Sequence, residues 1–467
     1  MEKKLKSKEE ILSTAPLNGL IAKFAIPSII SLLVNAAYNI TDQIFIGNVV
    51  GMLGNAATNV AFPTVTITTA LAQLVGVGTA ANFNLNLGAK RRDEAQRYIG
   101  TGLTMMSIFG VLLFAAIIIF KTPILLLCGA TDSVLPLSQL YLGITAFGIP
   151  FLLFTTSASV LIRADGSPAY SMVCTVIGAV LNVFLDWLFM FPLNWGIQGA
   201  ALATITGQII SFIFCILYFP RFKTFKIGIK TLGLRAHYVL NIIKLGTSNF
   251  INHVIMTAVN IVLNNTLTHY GALSVYGSDI PLAVAGIVAK LNTILVSFVV
   301  GLAQGCQPIW SFNMGAKNYS RVKQTYKKAV TVALIICVIA FLAFQLFPRQ
   351  ITSIFGSGDA LYFEFAEKYL RIYLMMCCVF GVQPLSINYF TSIGQVRQGV
   401  VLSLSRQGFL LIPLLIILPL FLGLNGVLCA GPIADGLAAL LSVILVARSF
   451  KKLTALESEA DNTPKTL

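Results

Sequence analysis

YIGTGLTMMSIFGVLLFAAIIIF, residues 98–120, is the stretch that decides the fold class. It contains no charged side chain. Wound as an α-helix at 1.5 Å per residue it is about 34 Å long, enough to cross the roughly 30 Å hydrocarbon core of a bilayer. The run is continuous rather than alternating, which selects a helix over a barrel strand. Runs of this kind recur outward in both directions, at approximately 20–47, 56–86, 136–160, 168–191, 199–219, 241–266, 283–312, 328–347, 366–392, 400–422 and 427–447. With 98–120 they make twelve spans. The composition agrees: 57% of the 467 residues are hydrophobic and 10% are charged, against about 25% charged in soluble domains. The expected fold is an all-α membrane protein held in the lipid bilayer.

The formal net charge of +15 is a topology signal. With the N-terminus placed inside, 25 of the 32 Lys and Arg fall in inside segments or, as Lys244 and Lys328 do, at the span ends beside them, Arg163 among them. Four lie outside or at the outer end of a span (Lys121 and Arg349; Lys368 and Arg371), and Lys23, Lys290 and Arg406 lie elsewhere within spans. Positive charge gathers on the cytoplasmic side, so both termini are expected in the cytoplasm, and no nucleic acid partner is expected. The start, MEKKLKSKEE, does not read as a removable leader. The eight cysteines form no CxxC pair and read as small buried hydrophobes, with neither a disulfide nor a structural metal site expected.

The chain is duplicated. NLGAK at 86–90 returns as NMGAK at 313–317, and GIQGAALA from Gly196 returns as GLNGVLCA from Gly423, at the same offset along the chain. IAKFAIPS from Ile21 resembles IIKLGTSN from Ile242. The expected organisation is a tail (1–19), a six-helix bundle (20–219), a basic linker (220–240), a second six-helix bundle (241–447) and a tail (448–467). An even number of spans per half makes the repeats parallel, related by a pseudo-two-fold axis along the membrane normal, as in secondary transporters whose substrate path runs between halves.

Polar residues inside the spans are the candidate site, because an ionised side chain at a helix centre costs about 2.5–3.5 kcal/mol and usually faces a cavity. Asn35, Asn39 and Asp42 are spaced i, i+4, i+7 and share one face of the first helix; Asn182 and Asp186 share a face of the fifth. Asp42, Asp186 and Thr204 each lie about five residues, or roughly 8 Å, from the outer ends of their helices. Carboxylate, amide and hydroxyl oxygens at one level suit a proton or Na⁺. The alternative is a packing role, each acid bonding its Asn neighbour. Tyr38, one turn before Asp42, is a candidate substrate contact. Lys290, deep in the eighth span, either lines the path, pairs with an acid or snorkels. Asp165 reads as a solvated loop residue, and Asp435 either stands alone in the twelfth span or pairs with Arg406. No GxxxxGK[ST], HExxH or GxSxG motif occurs, so neither ATP nor another cofactor is expected, and an enzyme is not.

PSIISLLVNAAYNITDQIFIGNVVG (27–51), the paired NxGAK segments, LIRADGSP (161–168), and LNVFLD (181–186) followed by GIQGAALAT (196–204) carry a family resemblance. The chain resembles multidrug and toxic compound extrusion (MATE) transporters over its whole length, and within them the bacterial MepA-like branch more than the NorM branch. The resemblance implies export of small amphipathic, often cationic organic compounds, driven by an inward H⁺ or Na⁺ gradient, by a monomer in a bacterial plasma membrane. It implies that Asp42, Asn182, Asp186 and Thr204 (Thr206 being a rival) form the cation site, and that Pro27 is the family's helix-bending proline. The tenth helix, YLRIYLMMCCVFGVQPLSINYF, has no acid, a departure that confines coupling to the first half. The alternatives are a flippase for lipid-linked glycans, whose pyrophosphate would require several deep Arg or Lys, or a membrane-bound protein that does not transport.

Overall fold

The computed structural model describes residues 8–228, 231–277, 279–353 and 360–462. Those residues are helical apart from their connections, with no strand among them. Among the described residues eleven helices are long and apolar enough to cross a membrane, and a bent pair, taken as one span, supplies a twelfth. In chain order they are α1 (Leu17–Val49), α2 (Met52–Gly88), α3 (Arg92–Ile119) and α4 (Leu135–Ala164), then α5 (Pro168–Met190), α6 (Gly196–Tyr218), α7 (Ala236–Ala272) and α8 (Asp279–Gly315). The last four are α9 (Tyr319–Leu346), α10 (Ala360–Tyr373 with Cys377–Ser392, bent by 46°), α11 (Val396–Leu422) and α12 (Leu424–Asn462).

The breaks in these helices have local causes. Proline lacks an N–H and cannot complete the helical ladder. In α4 a 3₁₀ turn at Ala146–Gly148 precedes Pro150. In α11 a π segment at Ser405–Leu411 precedes Pro413, a common way to absorb a missing hydrogen bond.

The duplication is visible in backbone geometry. α2 and α8 each have 37 residues, α3 and α9 each 28. Left-handed backbone recurs at matching places: Lys90 (φ 61°) and Lys317 (φ 57°), Gly196 (φ 54°) and Gly423 (φ 57°). Both pairs stand at the offset of the sequence repeat. A non-glycine residue at positive φ is uncommon, so two lysines at equivalent turns mark one motif used twice.

The halves meet along two seams near the face that carries both chain ends. At the first, α2 crosses α7. A Cβ on Gly78 would lie 2.1 Å from the Ile242 carbonyl oxygen, and one on Gly246 would lie 1.9 Å from that of Leu74. At the second, α8 crosses α1 through Gly301 against Ile29 and Gly305 against Ala25. Gly78 and Gly305 are again repeat partners, so each seam is the repeat image of the other. One buried cluster runs through both halves at this level, including Leu20, Ala72, Ile242, Trp310 and Tyr389.

Both expected tails contribute to this packing. Lys8–Thr14 is a helix whose Leu12 is 1% exposed, and the Leu12 carbonyl accepts from Asn313 Nδ2 (3.1 Å) and Arg321 Nε (3.0 Å). α12 runs on past residue 447 because Leu453 is fully buried and Glu457 pairs with Lys323 at 2.8 Å.

Candidate functional site

The site occupies the first half, at the level where α1, α5 and α6 converge. α5 turns Asn182 and Asp186 to the interior, 3% and 0% exposed. With its amide oriented to satisfy both neighbours, Asn182 donates from nitrogen to Asp186 Oδ2 at 3.2 Å, and its oxygen accepts from the Thr204 backbone N–H at 3.2 Å. Thr204 Oγ1 donates to the Ala200 carbonyl at 3.0 Å. Across from them α1 presents Asp42, whose carboxyl group faces that of Asp186 within hydrogen-bonding reach. The Oδ1 atoms of Asp42 and Asp186 are both buried with no donor bonded to them. A buried acceptor left so is costly, and a cation or proton is what such oxygens lack.

The structure thus brings Asp42, Asn182, Asp186 and Thr204 together. Thr204, not Thr206, lines the cavity; Thr206 is half-buried and donates to the Leu202 carbonyl. The Asn182–Asp186 bond of the packing alternative is also present, and it leaves the Oδ1 of Asp186 free.

Two cavities flank this cluster. The inner one, about 870 Å³, lies within the first half; Asn35, Asn182 and Arg163 are among its lining residues, and Gln304 of α8 completes its wall. The second, about 1550 Å³, runs between the halves and is lined by Asn39, Asp42, Tyr141 and Lys290, among others. They share a wall of Tyr38, Leu152, Thr204 and Gln208. Tyr38 therefore sits where the two meet. Lys290 is exposed in the larger cavity, which Asp42 also lines, and among the described residues it forms no ion pair. Asn39 bonds back to Asn35, with Nδ2 donating to the Asn35 carbonyl at 2.8 Å.

Pro27 lies between Ala25 and Ile29, the two α1 residues that touch Gly305 and Gly301. α1 is continuous through it, and the Ser31 hydroxyl donates to the Pro27 carbonyl at 2.9 Å.

Several residues differ from their sequence reading. Asp165 is buried rather than solvated: it accepts from the Tyr218 hydroxyl (2.7 Å), the Lys223 N–H (2.7 Å) and Thr224 Oγ1 (2.5 Å), and so anchors the linker. Arg163 is no flanking charge. α4 continues to Ala164, which carries Arg163 into the interior at 6% exposure. Asp435 follows the paired one of its two readings: it meets Arg406 inside the second half, and the Arg406 guanidinium lies 5.0 Å from the Phe380 ring centroid. Tyr141 was missed; its side chain reaches Thr204, and a lone tyrosine in an apolar span gives little warning. Gln208 was findable, one turn beyond Thr204 on the same face.

Among the described residues no group of three or more His, Cys, Asp or Glu is placed to hold a metal ion. The MatE family model matches residues 27–188 and 250–417, once in each half. The multidrug export protein MepA of Staphylococcus aureus (strain N315) is 26% identical over 95% of this chain and 97% of its own. Among solved structures, an outward-facing conformation of a multidrug resistance MATE family transporter superposes with a TM-score of 0.87, at 21% identity over 96% of this chain and all of that one. A crystal structure of MATE in the straight conformation gives 0.89, again at 21% identity, over 96% of this chain and all of that one. With both halves matched, and a helical frame shared from end to end, this chain belongs to the MatE family of membrane transporters.

Proposed function

We propose that this protein is a secondary active multidrug exporter that exchanges H⁺ or Na⁺ for amphipathic, often cationic organic compounds by alternating access. The observation that carries the reading is the pair Asp42 and Asp186, each with a buried oxygen that lacks a donor; Asp42 lines the larger cavity, and Asn182, bonded to Asp186, lines the inner one. Two facing carboxyl groups compete for positive charge, and a proton or Na⁺ relieves their mutual repulsion. A cationic substrate in the same cavities loses attraction when that ion binds. Coupling needs such differential affinity between two states.

The second state is a rocking of residues 20–219 against residues 241–447 about the glycine seams. Those seams close the face bearing the chain ends, while the larger cavity lies toward the opposite face. With the charge asymmetry placing the termini in the cytoplasm, this is an outward-facing arrangement of a monomer in a bacterial plasma membrane. The Staphylococcus relative, named as a multidrug export protein, supports the substrate class.

Purified protein in liposomes loaded with ethidium, with pH and Na⁺ gradients imposed separately, tests this. One of the two gradients should drive dye movement. Movement independent of both gradients, or lipid translocation in their absence, would overturn the reading.

A further inference from the structure

Ion exchange at Asp42 and Asp186 leaves Arg163 without a role. Its side chain lines the floor of the inner cavity and is more than nine-tenths buried. Among the described residues it forms no ion pair. Its one hydrogen bond among the described residues runs from a terminal nitrogen to Gln304 Oε1 at 2.9 Å, across the boundary between halves, and its Nε has no partner there. The nearest acid in sequence, Asp165, is saturated by Tyr218, Lys223 and Thr224. A buried guanidinium without a counter-charge is expensive, and a structure that retains one in a cavity wall offers it to something that enters.

The rest of the cavity agrees. Thr155 Oγ1 and Gln208 Oε1 also lack partners, and both line this cavity. α4 contributes one continuous face: Leu152, Thr155, Thr156, Ser159, Val160 and Arg163. From Leu152, which borders the larger cavity, to Arg163 is about 16 Å at 1.5 Å per residue. The upper end holds acceptors, near Asn182 and the two carboxyl groups. The floor holds donors.

We propose that the Arg163 floor is a subsite for the anionic group of an amphipathic substrate, a carboxylate or sulfonate, so that the cavity takes zwitterions as well as cations. This rests on the multidrug-export reading and adds a second recognition point to it. The cationic or aromatic body of the substrate lies upward, toward Tyr38 and Asn35. The guanidinium supplies charge-assisted bonds from Nε and the nitrogens that Gln304 leaves open. When the halves open on the face bearing the termini, α8 withdraws Gln304 and Arg163 is the first charged group of the cavity to meet an entering molecule.

The test uses two dyes that differ only in the anion: rhodamine B, a zwitterion with a free carboxylate, and its ethyl ester, a cation. Both dissociation constants are measured by fluorescence polarisation on the full-length protein in nanodiscs, and both dyes are followed in gradient-driven liposome export. Loss of one charge-assisted bond is expected to lower the preference for rhodamine B over its ester by about ten-fold or more in Arg163→Gln. Arg163→Lys, which keeps the charge at the same place, should retain most of the preference and controls for folding. An unchanged ratio in Arg163→Gln, with both dyes weakened alike or not at all, means that Arg163 only latches the halves through Gln304 and overturns the subsite. If the wild type exports the ester and rejects rhodamine B, the subsite falls and the export reading stands. If it exports neither, both fall.

Discussion

Substituting Gly246 by alanine tests how the seam between the halves holds one conformation. The new Cβ would lie 1.9 Å from the Leu74 carbonyl oxygen, whereas ordinary contact begins at 3.4 Å. α2 and α7 must separate there by the difference. The obstacle is backbone, and no side-chain rotation removes it. Overpacking of this kind costs about 1–3 kcal/mol. The cost falls only on the arrangement in which the seam is closed, so the equilibrium should move toward the open one by roughly 5- to 150-fold. Spin labels at Arg91 and Lys244, two exposed positions on opposite sides of the crevice at this face, report the result by EPR in nanodiscs. The expected outcome is a second, longer-distance population in Gly246→Ala that is rare in the parent. Gly78→Ala, with its clash at 2.1 Å, should do the same. A single population, displaced by no more than the local separation that relieves the clash, would refute the claim that glycine contacts set the balance between states.

Three further perturbations follow from the geometry. Asp42→Asn and Asp186→Asn should each insert and fold normally yet lose gradient-driven ethidium export, because the facing carboxyl groups no longer change charge together; full export by both in the liposome assay contradicts the coupling site. Arg406→Gln leaves Asp435 buried without its partner and should destabilise the second half by about 3–5 kcal/mol, read as a lowered midpoint in detergent thermal unfolding; the double variant Arg406→Met with Asp435→Leu should recover most of it, and an unchanged midpoint in the single variant removes the ion pair as a stabilising element. Asp165→Ala removes the carboxylate that accepts from Tyr218, Lys223 and Thr224 and should speed proteolysis within 220–240 several-fold with little change in helix content; equal cleavage rates contradict that role.

Lipid explains why the fold was so legible. A bilayer forces every spanning backbone into a helix, so hydropathy alone located twelve spans and their order, and the paired NxGAK segments exposed the two halves. The i, i+4 rule puts Asn182 on the face of Asp186, and Asn35 and Asn39 on that of Asp42, from spacing alone. Helix ends were read too short where apolar pattern stops before packing does: α12 continues because Leu453 is buried, and α4 continues through Arg163 to Ala164.

What the sequence by itself determined is each helix, its faces and its repeat partner, because those depend on local spacing and on the solvent around the chain. Only the tertiary structure decided which faces meet. That Asp42 of α1 faces Asp186 of α5, that Arg406 finds Asp435 and that Arg163 finds only Gln304 are outcomes of helix packing. Contacts between distant segments depend on rotation and depth fixed by glycine crossings such as Gly246 on Leu74, and no spacing rule within one helix contains them.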